Sequence, residues 1–579
     1  MTAYQKITAP AQRTNELVPE APISIVQGIG TYQCDQWRTR IFARHPWFAR
    51  AMAKEYRRIA EAAGSHIPAN QWLGGIEQQL KLGRTGLFVD CDDSEIVHYS
   101  DLKPQKMHGL VAEYSHTYGR GHYRKVTEHV ERAVSRVGLE FPLDLDSDYS
   151  RDDAIAALAR VCDPLWWRRR LRVTAARQLE QVCRELGMVS KTKAAYVSDY
   201  TLRRRHDQRR RNASLLAALE AENRETGYKA TLADISEKTV SNPVNRRNEL
   251  MVRMRGFEEC AAAIGFTARF FTLTCPSSYH STLHSGAKNP KYLGASPSEA
   301  QAYLCGLWSK IRAKWQREGI RCFGFRIAEP HHDGTPHWHL LLFFAPDVAE
   351  RAGDIFRAYA LKQDTHEPGA QKYRCEIIPI DPSKGTASGY IAKYVSKNID
   401  GYGMDDAVDD ETGQFTHQTA LRVEAWASTW GIRQFQQIGT VSVTVWRELR
   451  RIRQPLEDAS LEDLELIRAA CDTGDWARFV ELMGGPLAQR QDLKVRPLHL
   501  HPADHCQAEN QYGELCTRLM GVIMRGASHL ITRIHSWKIQ HITDVEDDDG
   551  TELDFRAPAN GATWTCVNNC TRSEVSLRQ

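Results

Sequence analysis

The sequence predicts an α+β protein, in which a central antiparallel sheet is covered by helices and mainly helical N-terminal and C-terminal regions flank it. Three observations carry that prediction. Two strand-like runs, Cys322 to Glu329 and His337 to Phe344, enclose the turn-forming cluster Pro330-His331-His332-Asp333-Gly334-Thr335-Pro336, whose Asp-Gly step marks a hairpin. Two further short runs, Ala268 to Cys275 and Tyr373 to Ile380, stand before and after it and are rich in aromatic and β-branched residues. Between these runs, apolar residues recur at helical spacing. The resulting order β, α, β, β, α, β, α suits a sheet with helices on its faces.

Taken in order, residues 1–150 mix helical patterns with polar loops. Trp37 to Ala62 reads as one or two helices with basic residues outward, and Glu77 to Tyr123 reads as less regular. No motif stands out there, so recognition of a DNA site and scaffolding are equally open as its role. Residues 151–255 read as a basic helical region. Trp166 and Trp167 are expected inside a helical core, and the clusters Arg203-Arg204-Arg205 and Arg209-Arg210-Arg211 follow. Between Arg160 and Arg211, fifteen Lys and Arg stand against five Asp and Glu, which makes this region the candidate for contact with DNA phosphates.

Residues 256–400 hold the strands, with helices expected at Ser298 to Glu318, Asp347 to Lys362 and Gly385 to Asn398. Gly401 to Gly413 reads as a loop, and residues 401–450 are expected to pack on the preceding domain through Trp426, Trp430 and Trp446. Residues 451–579 open with a helical stretch, Leu461 to Leu482, and lose clear periodicity from Pro486. Seven acids and no base between Asp544 and Asp554 read as a solvated tail.

Composition narrows the class. The net charge of +4 does not announce nucleic acid; the local excess of arginine does. Fourteen cysteines are scattered without paired zinc spacing, and a chain of this size needs no disulfide framework. The N-terminus lacks a basic-then-apolar signal pattern, and no apolar run approaches the roughly 20 residues of a membrane span. The expected compartment is a reducing cytoplasm.

The candidate chemistry lies in the hairpin and in the helix that follows. Successive strand side chains point to opposite faces, so His337 and His339 project together while Trp338 and Leu340 go to the other side. Antiparallel pairing brings Glu329 beside them. Two imidazoles and a carboxylate form an open N/O set suited to Mg²⁺, Mn²⁺ or Zn²⁺. His331 and His332 are expected on a solvated turn, from which either could reach the ion. Tyr390 and Tyr394 lie one helical turn apart, and each is followed at the third position by lysine, Lys393 and Lys397. A phenol needs such a cation to attack a phosphodiester near neutral pH, because its pKa is near 10. In isolation the same helix also reads as an amphipathic element with half-buried tyrosines.

Together these pieces resemble the HUH endonuclease superfamily, and more closely the bacteriophage replication gene A protein family, over roughly residues 190 to 450. The matching residues are Phe270-Phe271-Thr272-Leu273-Thr274, Glu329-Pro330-His331 through His337-Trp338-His339, and Tyr390 with Tyr394. Asn245 to Leu250 and Trp426 to Phe435 also fit. The resemblance implies an RRM-like sheet carrying a divalent metal, Mg²⁺ or Mn²⁺, on Glu329, His337 and His339. It further implies a tyrosine that nicks one strand of single-stranded or locally melted origin DNA. The product would be a 5′-phosphotyrosyl link and a 3′-OH primer, later rejoined, as in rolling-circle initiation. With no nucleotide-binding loop in the sequence, a host helicase and polymerase are the implied partners, and the bacterial cytoplasm is the implied place. A relaxase or transposase of the same superfamily, or a non-catalytic origin-binding protein, are the alternatives.

Overall fold

In the computed structural model the strands are β1 (Leu219–Asn223), β2 (Lys229–Thr231), β3 (Thr267–Leu273), β4 (Phe323–Pro330), β5 (Pro336–Phe344), β6 (Cys375–Pro379), β7 (Phe435–Ile438), β8 (Val495–Leu500), β9 (Arg518–Met524), β10 (His529–Ile531) and β11 (Trp537–His541). The structure describes residues 22–119, 121–402, 409, 416–439, 441–500, 509–525 and 529–542. The acidic run from Asp544 and nearly all of the Gly401 to Gly413 loop lie outside the described residues. Two compact units divide between Val189 and Ser190. The basic stretch from 151 to 255 therefore contributes to both.

The first unit is helical among its described residues. Phe48, Met52, Tyr56, Leu73, Ile96, Val130, Trp167 and Leu179 are buried in it. Trp166 and Trp167 are core residues, and the Trp167 indole donates to Val161 O at 2.7 Å. The segment expected to be irregular contains a 26-residue helix, Asp93–Tyr118. A capping box of Asp92 and Glu95 starts it, and its buried stripe is only Ile96, Ser100, Pro104 and Met107. A proline and a serine in so narrow a stripe hide the helical period.

In the second unit β6-β3-β5-β4-β7 form a five-stranded sheet, and every pairing in it is antiparallel. Alternation gives this sheet two apolar faces. Phe271, Trp338, Leu340, Leu342 and Phe344 pack with Leu304, Trp308, Ile311 and Trp315 of helix Pro297–Arg317, and with Phe356 of helix Pro346–Ala360. Trp426 and Trp430 of helix Thr416–Trp430 join the same cluster. The opposite face carries Phe270, Phe323, Phe325, Ile327, Leu341 and Phe343. Against it lie Leu250, Met254 and Phe257 of helix Pro243–Ala263, and Ile391 and Val395 of helix Ala387–Ile399. Each such side chain contributes about 1.5–3 kcal/mol on burial, so the sheet is held from both sides.

One glycine is required by this packing. Gly324 on β4 has φ 150°, and a Cβ there would collide with the carbonyl of Leu341 on the paired strand. Gly324→Ala is expected to lower the melting temperature clearly, by a strain of about 1–3 kcal/mol before the collision is counted. Thermal denaturation of the two chains measures it.

The stretch beyond Pro486, where the sequence shows no clear periodicity, forms strands among its described residues. β8, β9 and β10 make one antiparallel sheet, and β11 pairs with β1, itself paired with β2. Short strands of mixed polarity, with a bulge at Leu498/His499, leave little periodicity to read.

Candidate active site

The hairpin register places Glu329 directly opposite His337, and Ile327 opposite His339, with Thr272 of β3 on the other side of His339. Glu329, His337 and His339 are all buried, and their ligand atoms lie within 4.8 Å of one another. His337 Nε2 and His339 Nε2 are 3.0 Å apart. Glu329 Oε2 is 4.0 Å from the first and 3.9 Å from the second.

These residues fit a divalent ion. Adjacent ligand atoms about 2.1 Å from an ion sit about 3 Å apart, as the two imidazole nitrogens do. The carboxylate would close a gap of roughly 1 Å by rotation. His339 Nδ1 lies 3.2 Å from Thr272 Oγ1, and the tautomer with its proton on that side leaves the Nε2 lone pair facing the other donors.

Helix Ala387–Ile399 brings the tyrosines to the same face. Thr386 caps it, accepting from Gly389 N at 3.0 Å. Glu258 anchors its first turn, accepting from Ala387 N at 2.6 Å and from the Ser388 hydroxyl at 2.6 Å. Ile391, Val395 and Ile399 face the sheet, four residues apart, and the stripe beside them is Tyr390, Tyr394 and Asn398. The Tyr394 ring is centred 4.3 Å from the His339 ring and 5.4 Å from the Phe270 ring. Tyr390 meets Phe270 edge-on at 4.8 Å and is 41% exposed. Both rings thus rest on Phe270, and Tyr394 also meets His339 of the Glu/His/His group. At the far end of the helix, Arg247 forms an ion pair with Asp400 and lies over the Tyr402 ring at 3.8 Å.

The two lysines differ. Lys393 is exposed. Lys397 is buried, with its ammonium 3.2 Å from Asp409 Oδ1 and 3.7 Å from Glu329 Oε2. Asp409 accepts from the Tyr196 hydroxyl at 2.5 Å. A buried polar chain thus runs from the Tyr196 hydroxyl through Asp409 and Lys397 to the carboxylate of Glu329. Asn398 completes the support: its amide donates to Glu329 Oε1 and, at 2.6 Å, to Tyr394 O. Gln434 Nε2 donates to Asn398 Oδ1 at 3.3 Å. Asn398 was legible in principle, since it continues the Tyr390, Tyr394 stripe by one more turn. Tyr196 and Asp409 carry no such signal.

The turn from His331 to Thr335 is not solvated as expected. His332, Asp333 and Thr335 are buried. Asp333 accepts from Ser281 N at 2.7 Å and Thr335 N at 3.0 Å, and the Trp426 indole donates to Gly334 O at 2.7 Å. The covering loop and helix come from elsewhere in the chain, which a local reading does not see. His331 stacks on His337 with ring centres 4.0 Å apart.

The six arginines lie on helix Asp199–Ala218, where Thr201 alone is buried among the described residues. Arg203, Arg209, Arg210 and Arg211 are exposed. Arg205 turns inward, its Nε 3.1 Å from Glu424. No helix among the described residues is long and apolar enough to cross a membrane.

A family model described as bacteriophage replication gene A protein (GPA) matches residues 102–402. The replication gene A protein of Escherichia phage 186 is 43% identical over 433 residues, covering 74% of this chain and 61% of that protein. The replication gene A protein of Escherichia phage P2 is 37% identical over 431 residues, 72% of this chain and 55% of that protein. A probable replication endonuclease from a prophage-like region of Salmonella typhi is 33% identical, with 72% and 52% covered. The chain thus spans between about half and three-fifths of the length of these relatives. No solved structure matches it.

Proposed function

The chain belongs to the bacteriophage replication gene A protein family, and on that premise we propose that it is a tyrosine-dependent, site-specific DNA strand nickase that initiates rolling-circle replication. The observation that carries this reading is the tilted ring contact between Tyr394 and His339, 4.3 Å between centres, with Tyr390 one turn away on the same Phe270.

In the proposed reaction one phenol oxygen attacks the phosphorus of the scissile phosphodiester. The P–O3′ bond breaks as the P–O(Tyr) bond forms. The phenolic proton is lost, and the departing 3′ oxygen gains one to become a 3′-OH that a polymerase extends. Because one phosphodiester replaces another, the reverse reaction rejoins the strand without a nucleotide cofactor. Two phenols on one stripe allow a second cut while the first link persists. Glu329, His337 and His339 would hold a divalent ion, Mg²⁺ or Mn²⁺, which would supply electrostatic stabilisation of charge on the phosphate and leaving oxygens.

The chain's own residues do the rest. Thr272 sets the His339 tautomer. Asn398 and Lys397 hold the two oxygens of Glu329. Lys393, exposed one turn beyond Tyr390, steadies a phosphate oxygen in this reading. The exposed arginines of helix Asp199–Ala218 hold the strand through its backbone. Single-stranded or locally melted origin DNA is the substrate, a host helicase opens the duplex, and the bacterial cytoplasm is the place.

The reading is tested with a supercoiled origin plasmid. Nicking that needs a divalent ion, with protein retained on the new 5′ end, is expected. A nicked circle whose 5′ end is a free phosphate would overturn it. Asn398→Ala is expected to weaken Mn²⁺ binding about 10–100-fold, as loss of a carboxylate's supporting donor does; calorimetric titration measures it.

A further inference from the structure

We propose that the small sheet β11-β1-β2 carries a stacking platform for single-stranded DNA, formed by Tyr228 and Trp537. The proposal rests on the nickase reading for its ligand class and extends it to residues outside the site. Tyr228 is 57% exposed and Trp537 44%, and their rings meet edge-on at 6.4 Å. Ile534 and Ile539, also exposed, adjoin Trp537 in sequence. Exposed apolar residues scattered singly need no explanation, but two touching aromatic rings with neighbouring isoleucines form a patch.

The backbone fixes both rings at one end of the sheet. Trp537 stands opposite Asn223 in the β1–β11 register, and Asn223 N donates to Tyr228 O at 2.8 Å across the β1–β2 turn. Strand alternation places Trp537 and Ile539 on the face opposite Lys538 and the β1 acids Glu220 and Glu222. Those acids are engaged with Gln540, and Glu220 also with Lys229. Glu225, in the turn, accepts from the Ser536 hydroxyl.

Charge selects the occupant. The helix Asp199–Ala218 runs directly into β1, and Ile542 N at the end of β11 donates to Ala218 O at 3.0 Å. Its stretch from Arg203 to Arg211 holds six arginines and one acid, Asp207. The arginine helix joins the sheet at its Leu219/His541 end and the rings stand at its Asn223/Trp537 end, so cations and exposed aromatic rings flank one small sheet, which matches a polyanion with stackable bases. The helix is also tied to the proposed catalytic hairpin: Arg205 pairs with Glu424 on the helix whose Trp426 caps the Gly334 carbonyl. Strand held by these arginines is therefore anchored to the hairpin that bears Glu329, His337 and His339.

The test is binding of fluorescent oligothymidylate to the full chain, by anisotropy in EDTA so that no cutting intervenes. Tyr228→Ala with Trp537→Ala is expected to weaken binding by at least about tenfold, the scale of lost base stacking, with the slope of log K against log salt unchanged. Tyr228→Phe with Trp537→Phe should restore binding to within about threefold, which separates stacking from misfolding. Arg209→Ala, Arg210→Ala and Arg211→Ala together should instead reduce the salt slope by about 2. Equal affinity in the double-alanine and parent chains overturns the proposal. So does recovery of full affinity when the acidic residues 544–554 are deleted from the double-alanine chain, because the patch would then serve that segment. A chain that binds normally but never nicks would sink the nickase reading and leave the platform standing.

Discussion

Replacing Tyr390 and Tyr394 together by phenylalanine is expected to abolish nicking and covalent capture, with a loss of about 10⁴-fold or more, the scale for removing a nucleophile. Phenylalanine keeps each ring against Phe270, and the ring at 394 against His339, so only the oxygen goes. Tyr390 is exposed at 41% of its surface and Tyr394 half-buried, so the change in stability should stay within about 1 kcal/mol. Oligonucleotide binding in EDTA should match the parent. Each single variant keeps one phenol on Phe270 and should retain part of the activity. A double variant that nicks at the parental rate would remove both tyrosines from the reaction.

His337→Ala with His339→Ala is expected to eliminate tight divalent-ion binding and to lower nicking by about 10³-fold, comparable to losing a principal electrostatic stabiliser of the transition state. Glu329 remains supported by Asn398 and Lys397 in that variant, so its carboxylate is not left as an isolated buried charge. The fold should therefore persist, visible as an unchanged circular dichroism spectrum. Chelation of the parent chain should reproduce the loss, and added Mg²⁺ or Mn²⁺ should reverse it in the parent alone. Equal cutting in the presence and absence of chelator would assign the histidines a purely structural part.

What could be read beforehand follows from the range of the interactions. Glu329, His337 and His339 sit on two strands joined by a short turn, and the period of two places their side chains without knowledge of anything else. Tyr390 and Tyr394 are likewise placed by the helical period. The burial of residues 331–335 depends on Ser281 and Trp426, which lie far off in sequence, and was not legible. The same holds for Lys397. Its spacing from Tyr394 suggests a solvated cation near the phenol, while the structure turns it toward Glu329 and Asp409. β11 pairs with β1 across more than 300 residues, and strands as polar as Leu219–Asn223 and Trp537–His541 offer no pattern that predicts the match. The helix Asp93–Tyr118 was hidden for a different reason, the proline and serine in its buried stripe.

The most direct measurement is the mass of the peptide left on DNA after cutting. Trypsin separates the two candidates, because Gly385 to Lys393 contains Tyr390 and Tyr394 to Lys397 contains Tyr394. A labelled origin oligonucleotide cut in Mn²⁺ and digested to completion should carry one of these peptides through a phosphotyrosine at its 5′ end. A cut strand bearing a plain 5′-phosphate, or a peptide from any other part of the chain, would contradict attack by a phenol of the 387–399 helix.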